Sequence, residues 1–451
     1  MSNERSGFSS RLGFVLATAG SAVGLGNIWR FPYLAAKYGG GTFLLTYLIL
    51  TLTFGFSLMI TEVALGRKAG TSAIRAFGHF SKKHTFIGYL TTIIPFIIFP
   101  YYCVIGGWVT KYALVSLQGG IHNAASDTFF TGFISKSAEP MICVLVFLIA
   151  TTVVVAGGVK GGVERVSTIM MPVLIVLLIG VSLFCITRPG AMAGVAYYLK
   201  PSLKGFGPTT ILAALGQLFY SMSLAMGIMI TFGSYMPKKA DLEKSVTQVE
   251  IFDTGVAFLA GLMIVPAVFV FSNGDSSMLA KGPSLMFVML PKVFNSMAFS
   301  SVIAAVFFIL VLLAALTSSI SLLETLVAVL MDKFHMKRGT ACITMFIIAL
   351  LLAVPSSLGF GAWSNITILG FDFLDFFDFM TNSVMMPLAA LATCILILRV
   401  VGIDGMVKEI EQSSPFRRKK LYRVFIKYFA PICLIIILLS SIANVLGIIS
   451  M

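Results

Sequence analysis

Charge is scarce in this 451-residue chain: Asp, Glu, Lys and Arg together make up 11% of it, against about a quarter of an ordinary soluble domain. That scarcity excludes a well-hydrated surface wrapped around a single core. Cysteine is sparse and unpatterned. Cys103, Cys143, Cys185, Cys342, Cys394 and Cys433 lie scattered in apolar stretches without C-x-x-C spacing, which excludes a disulfide framework or thiolate metal site and leaves them as small packing residues. The four histidines, His79, His84, His122 and His335, fall in polar, loop-like segments with no H-E-x-x-H spacing, so histidine-held zinc or haem is excluded too. Low-complexity tracts and a soluble domain are also missing.

What the chain has instead is apolar length. Hydrophobic residues fill 58% of it and its mean hydropathy is +0.98. A spanning helix needs about 20 apolar residues to cross roughly 30 Å of hydrocarbon. The pattern predicts an all-α polytopic membrane protein with eleven transmembrane helices, near residues 11–37, 41–66, 86–117, 138–157, 163–187, 208–236, 242–272, 294–331, 340–355, 364–398 and 424–449. Two connections are more than turns: residues 67–85 read as an interfacial helix, and residues 273–293 are long enough to fold back over the protein.

The net charge of +14 invites a nucleic-acid reading, but its distribution is topological. Of 32 Lys and Arg, 23 fall in segments that would share one membrane face: Arg5 and Arg11, then residues 67–83, 160–165, 238–244, 333–338 and 399–427. Short-loop Lys/Arg bias sets orientation. The expectation is a plasma-membrane protein with a cytoplasmic amino terminus, no cleavable signal peptide and, from the odd number of spans, a carboxyl terminus outside. The lipid bilayer is its surroundings, and nucleic acid is not a partner.

The first span carries the most information. It reads ATAGSAVGLGNIWRFPYLAAKYGGG from Ala17, with Gly20, Gly24 and Gly26 ahead of Asn27 and Arg30. Clustered glycine weakens a helix. Backbone that unwinds in lipid is tolerated only around a polar cavity. Close helix packing through small residues is the plainer explanation of a lone G-x-G, but the adjoining Asn27 and Arg30 favour a site. A second interruption falls in the sixth span, at residues 216–227. Spans one to five (residues 11–187) and six to ten (208–398) then form a five-plus-five inverted repeat in which each half opens with a broken helix. Residues 1–10 precede it, a cytoplasmic loop (399–423) follows, and an eleventh helix (424–451) ends the chain. Broken helices offer amide ends to an anion and free carbonyls to a cation.

Six motifs, GSAVGLGNIWRFPY (20–33), GGG (39–41), Glu62 within ITEVALGR, PYYCVIGGW (100–108), GQLFYSMS (216–223) and ALTSSIS (315–321), resemble the neurotransmitter:sodium symporters along essentially the whole chain. The resemblance is strongest to bacterial transporters of several hydrophobic amino acids. Eleven spans depart from the usual pattern of that family.

The resemblance implies two bound sodium ions. The first would meet the Ala22 carbonyl, Asn27, Ser221, Asp253 and the substrate carboxylate. The second would meet the carbonyls of Gly20, Val23 and Ala314 and the hydroxyls of Thr317 and Ser318, unless those hydroxyls simply bond back to their own helix. Asp253 stands where many relatives have asparagine, so it would supply the negative charge that chloride supplies in chloride-dependent members. Gly24 stands where amine carriers have aspartate, which points to a ligand bringing its own carboxylate.

The same resemblance puts that carboxylate near Leu25, Gly26 and Tyr102, and the amino group near the carbonyls of Ala22, Tyr220 and Ser221. A side chain would lie among Ile98, Phe219, Tyr220, Ser223, Met226, Ser318 and Leu322. None of these is charged, so a hydrophobic L-amino acid, aliphatic or aromatic, is expected, and flexible Met226 suits several shapes. Arg30 with Asp375 would form an outer gate over Tyr102 and Tyr220. Arg5 with Asp332 would form an inner one, steadied by Phe8, Ser234 and Tyr235. Gly162 and Pro172 have the spacing of a release hinge, and Glu62 is expected to cap broken-helix amides. Asp372, Asp378 and Glu324 receive no role.

Sodium-coupled symport by a monomer follows, with a proton-coupled carrier of the same fold as the alternative. A channel lacks its continuous polar lining, and an enzyme lacks a nucleophile beside a base.

Overall fold

The structure, a computed structural model, describes residues 7–202, 206–272 and 284–445. Apart from an isolated bridge between Ile368 and Phe371, the described residues carry no β-structure. Helices satisfy every backbone amide and carbonyl internally, the condition for crossing hydrocarbon. Nine continuous helices among the described residues are long and apolar enough to span, and the pair Arg11–Ala22 and Gly26–Lys37, bent by 54°, makes a tenth. A second interrupted pair, Pro208–Ser221 and Ile228–Tyr235, stands where the sixth span is expected.

Several expected bounds move, for reasons a hydropathy pattern does not contain. The eighth helix runs Ser300–Phe334 rather than over 294–331, because Phe299 takes a left-handed conformation (φ 59°) just before it. The tenth is Phe373–Val401 rather than 364–398: the Asp372 side chain accepts the Asp375 amide and caps the helix start. The last spanning stretch begins at Lys419 rather than 424. The expected loop 399–423 contains a short helix, Ile403–Ile410, tied to the second span by a buried ion pair between Arg67 and Glu409 at 2.9 Å.

Burial separates centre from rim. The most apolar window of Lys82–Leu117 is 78% buried and that of Lys419–Ala443 only 22%, so the former is a central post and the latter faces lipid. Around the post, the segment Gly26–Arg30 packs on Pro208–Ser221, and Arg11–Ala22 packs on Ile228–Tyr235, Leu242–Phe271 and Ser300–Phe334. The two breaks therefore meet in the middle of the bundle.

Both longer connections pack inward. Residues 67–85 contain the helix Ala73–Phe80, which buries Ala73, Ile74, Ala76 and Phe77. The described part of 273–293 is helical through Leu285–Met289 and into Leu290–Asn295. Its Phe287 stacks on Phe130 at 5.0 Å, meets Trp108 and Trp29 edge-on, and accepts a hydrogen bond from the Tyr112 hydroxyl at 2.7 Å. The cysteines are free, and all but Cys433 are buried.

Candidate functional site

The first helix stops at Ala22 because Val23 turns extended (φ −75°, ψ 98°), and winding resumes as a wide π-turn at Gly26–Arg30. The second stops at Ser221. Ser223, Ala225 and Gly227 then have φ of 52°, 61° and 75°, and winding resumes at Ile228. Non-glycine residues reach this left-handed region only under constraint, and two contacts supply it. The Ser223 hydroxyl donates to the Ser21 carbonyl at 3.0 Å, and the Ala225 amide donates to a carboxylate oxygen of Glu62 at 2.7 Å.

A cavity lies between the breaks. Of the twelve residues expected around a substrate, Ala22, Leu25, Gly26, Ile98, Tyr102, Tyr220, Ser221, Ser223, Met226, Ser318 and Leu322 line it. Phe219 does not: its ring packs edge-on against Phe54 at 5.7 Å, because the helix is still wound there and turns that side chain away. Ser21, Gly24 and Ile228 complete the lining, and the sequence reading assigned neither Ser21 nor Ile228 to it. Ile228 follows a left-handed glycine, which only the fold reveals, while Ser21 lies between Gly20 and Ala22, whose carbonyls the resemblance already places at the sodium sites.

Space is tight at Gly24. A Cβ there would fall 2.5 Å from the Ser318 hydroxyl and 3.2 Å from the Tyr102 hydroxyl, so a side chain would have to push these groups aside. The Tyr102 hydroxyl is buried without a hydrogen-bond partner, with the Leu25 amide and Ser318 hydroxyl as polar neighbours. Buried polar atoms are rarely orphaned unless a ligand or water completes them.

Asp253 is fully buried beside this cavity. One carboxylate oxygen accepts from the Asn27 amide nitrogen at 2.7 Å and from the Ser221 hydroxyl at 2.8 Å, and the other accepts from the Tyr47 hydroxyl at 3.2 Å. The Asn27 side-chain oxygen accepts the Gly24 amide at 3.0 Å, tying the carboxylate to the break itself. Among the described residues no basic side chain pairs with Asp253, so an uncompensated acid sits at the junction of both broken helices.

A second group of oxygens gathers behind it. The Ser318 hydroxyl lies 3.5, 3.1 and 3.3 Å from the carbonyl oxygens of Gly20, Ser21 and Val23. Thr317 instead bonds back to the Ala314 carbonyl of its own helix at 3.0 Å, so of the two hydroxyls expected at the second sodium site it is that of Ser318 that meets the Gly20 and Val23 carbonyls.

The gates need correction. Arg30 and Asp375 line one outer cavity but make no ion pair; the guanidinium lies 5.1 Å above the Tyr220 ring. Asp378, one helical turn further on, lines the same cavity, and it accepts from Tyr101 at 3.3 Å and Asn382 at 2.5 Å. Asp375 is exposed above it, facing Asp372 and Asp378.

At the opposite face Arg5 lies outside the described residues. Asp332 accepts from both the amide and the hydroxyl of Ser72, at 2.8 and 2.5 Å. Phe8 is buried among Phe14, Phe232 and Tyr235, and its amide donates to the Tyr235 carbonyl; Ser234 bonds back to Thr231. Tyr235 also donates to Glu324 at 2.9 Å, and Glu324, fully buried, is bound in fork geometry by Arg338 at 2.7 and 2.8 Å. That pair escaped the sequence reading, although an acid deep in a spanning helix signals that a partner exists.

The comparisons with known proteins agree with this geometry. The model of the sodium:neurotransmitter symporter family matches residues 5–132 and 128–448. An uncharacterized sodium-dependent transporter of Bacillus subtilis, YhdH, is 34% identical over 450 residues, covering 98% of each chain. The chain belongs to the sodium:neurotransmitter symporter family. Another uncharacterized sodium-dependent transporter, from Methanocaldococcus jannaschii, is 32% identical over 98% of this chain and 92% of its own. The crystal structure of MhsT in complex with L-phenylalanine superposes with a TM-score of 0.88 at 38% identity, over 97% of this chain and all of that one. This symporter is thus a sodium-dependent, multi-pass membrane transporter and not an enzyme.

Proposed function

We propose that this symporter imports hydrophobic L-amino acids, aliphatic and aromatic, driven by sodium at two sites and without chloride. The observation that carries the reading is the buried carboxylate of Asp253, with no basic side chain paired to it among the described residues, bordering a cavity whose lining residues bear no charged side chain. A carboxylate in so dry a place is stable only with positive charge nearby. A sodium ion between Asn27, Ser221, Asp253 and the Ala22 carbonyl provides it. A chloride-dependent relative needs an external anion for this balance, and here the chain carries its own.

The substrate fits the same logic. Its carboxylate is received by the Leu25 and Gly26 amides, where helix winding restarts with a positive end, and by the orphaned Tyr102 hydroxyl. Its ammonium meets the free carbonyls of Ala22, Tyr220 and Ser221. Because residue 24 is glycine, the chain itself brings no carboxylate to this place, and a ligand without its own finds no anion there. The side chain lies against Ile98, Met226, Ile228 and Leu322. The second sodium bridges the carbonyls of Gly20, Val23 and Ala314 and the hydroxyls of Thr317 and Ser318, joining the first broken helix to Ser300–Phe334. Eleven spans in two inverted halves, residues 11–187 and 208–398, with the amino terminus cytoplasmic and the carboxyl terminus outside, complete the reading. A monomer suffices.

Uptake of labelled leucine and tryptophan into proteoliposomes, with sodium, chloride and pH varied separately, tests it. Equal uptake in sodium gluconate and sodium chloride, and none in choline chloride, is expected. Uptake in choline under a pH gradient would assign the cycle to protons instead.

A further inference from the structure

The last spanning stretch opens with charge of one sign. Residues 417–427 hold six basic side chains and no acidic one. Three of the six are answered by acids elsewhere: Arg418 pairs with Glu250 at 3.1 Å, Lys419 with Glu411 at 3.1 Å, and Arg423 with Asp404. Arg417, Lys420 and Lys427 are exposed and have no acidic partner among the described residues. Lys427 is the most costly of them, because it stands about two turns inside Lys419–Ala443, a stretch apolar enough to cross hydrocarbon. Its ammonium lies 5.0 Å from the centre of the Tyr428 ring. Tyr428 and Phe429 are exposed, and aromatic rings exposed near the end of a spanning helix mark the level of the lipid headgroups.

A cavity of about 280 Å³ lies at this level, lined by Ile403, Asp404, Arg423, Val424, Lys427 and Tyr428. One wall is the final helix. The other is the start of the short helix Ile403–Ile410, which the second span holds in place: besides the Arg67–Glu409 pair, Lys68 donates to the Gly405 carbonyl at 3.3 Å. Two cations and one carboxylate face this space, so the lining carries net positive charge. The pair of Arg423 and Asp404 is open to water, which makes it weak and leaves other guanidinium donors available. Deeper along the final helix, Ile432, Ile435, Ile436 and Leu439 are exposed and face lipid.

We propose that this cavity holds the headgroup of one anionic phospholipid of the phosphatidylglycerol type. Its phosphodiester lies between the Arg423 guanidinium and the Lys427 ammonium, its glycerol hydroxyls donate to Asp404, and its acyl chains run along Ile432, Ile435 and Ile436. Basic pockets beside spanning helices take lipid headgroups in this way. Charge selects among lipids: a phosphate without a cation cancels the excess charge of the lining, whereas phosphatidylethanolamine and phosphatidylcholine bring an ammonium that leaves it uncancelled. A free phosphate would meet the same cations but leave the apolar strip below them unused. The bound lipid joins the final helix to the short helix that Arg67 fastens to the second span. None of this depends on the sodium sites or on the amino-acid cavity.

Native mass spectrometry of the full chain, released from detergent holding equal amounts of phosphatidylglycerol, phosphatidylethanolamine and phosphatidylcholine, tests this. The unmodified chain should retain one phosphatidylglycerol, favoured at least about tenfold over either zwitterionic lipid. Arg423→Gln with Lys427→Gln should lower that retention at least about tenfold, and Lys427→Gln alone, which leaves Arg423 with Asp404, at least about threefold. Lys427→Arg keeps the charge and should stay within about twofold of the unmodified chain. Lys82→Gln with Lys83→Gln removes as much charge from exposed lysines outside the cavity and should also stay within about twofold. Equal loss in the two double variants would reduce the effect to bulk charge and overturn the site. Equal retention of all three lipids by the unmodified chain, or retention that Lys427→Gln leaves unchanged, overturns it as well. Displacement of the lipid by millimolar inorganic phosphate would give the cations to a free anion and overturn the lipid assignment.

Discussion

The two broken helices reach the same end by different means. In the first, winding stops and restarts over three residues (23–25), between glycines, and the gap is closed by the Asn27 side chain accepting the Gly24 amide. In the second, the gap covers residues 222–227 and includes two non-glycine residues at positive φ, held by the Ser21 carbonyl and the Glu62 carboxylate. The first break is permitted by local sequence, while the second is imposed by neighbours. Ala22, Gly24, Leu25 and Gly26 of the first break and Ser223, Met226 and Ile228 of the second line the same cavity; on the proposed reading the first receives the ligand's carboxylate and the second shapes the space for its side chain.

The largest expected effects belong to the first break. Thr317→Ala with Ser318→Ala removes both hydroxyls proposed for the second sodium, of which Ser318's faces the carbonyls of the first break, and sodium-driven uptake should fall below about 1% of the unmodified chain in proteoliposomes. Retained sodium dependence would place the second ion elsewhere. Asp253→Asn should lower uptake in chloride-free medium by about 100-fold and regain most of it when chloride is added. Identical ion dependence before and after the change would end the charge-balance argument.

Effects at the second break should be smaller. Met226→Phe narrows the side-chain space, so tryptophan transport should drop about tenfold with leucine within about twofold, measured as kcat/KM; unaltered tryptophan transport would make Met226 ordinary packing. Glu62→Ala unpins the Ala225 amide and should cost about 1–3 kcal/mol, seen as a lower unfolding temperature in detergent, whereas Glu62→Gln keeps an acceptor and should cost less. Ala225→Gly relieves a left-handed alanine and should stabilise by no more than about 1 kcal/mol. A clear destabilisation there would show that the alanine methyl, 2% exposed, packs more than it strains.

Much of the site was legible because it depends on backbone permission and on charge placed where charge is expensive. Gly20, Gly24 and Asn27 announced the first break, and Asp253 announced itself as an acid amid an apolar span. The misreadings share a cause. Asp372, Asp375 and Asp378 repeat every third residue, so periodicity puts them on one helix face and says nothing of their depth; in the fold Asp372 caps the helix, Asp375 is exposed, and Asp378 lies deeper, bonded to Tyr101 and Asn382. Phe219 was assigned to the cavity by its neighbours in the motif, but intact winding there points its ring at Phe54. Glu324 with Arg338 and Glu164 with Ser9 join residues 14 and 155 positions apart, and pattern along the chain carries no register between such elements.

By itself the sequence determined that the chain lives in lipid, that it crosses as helices and where the first must fail, because hydropathy, proline and glycine act on the backbone locally. Only tertiary structure decided which acid faces which base, how Ser223 and Ala225 are forced into left-handed turns, and that the Glu164 carboxylate on the helix Val159–Ile186 reaches Ser9 ahead of the first. Those outcomes depend on distances between elements remote in sequence, and such distances are fixed only when the helices pack.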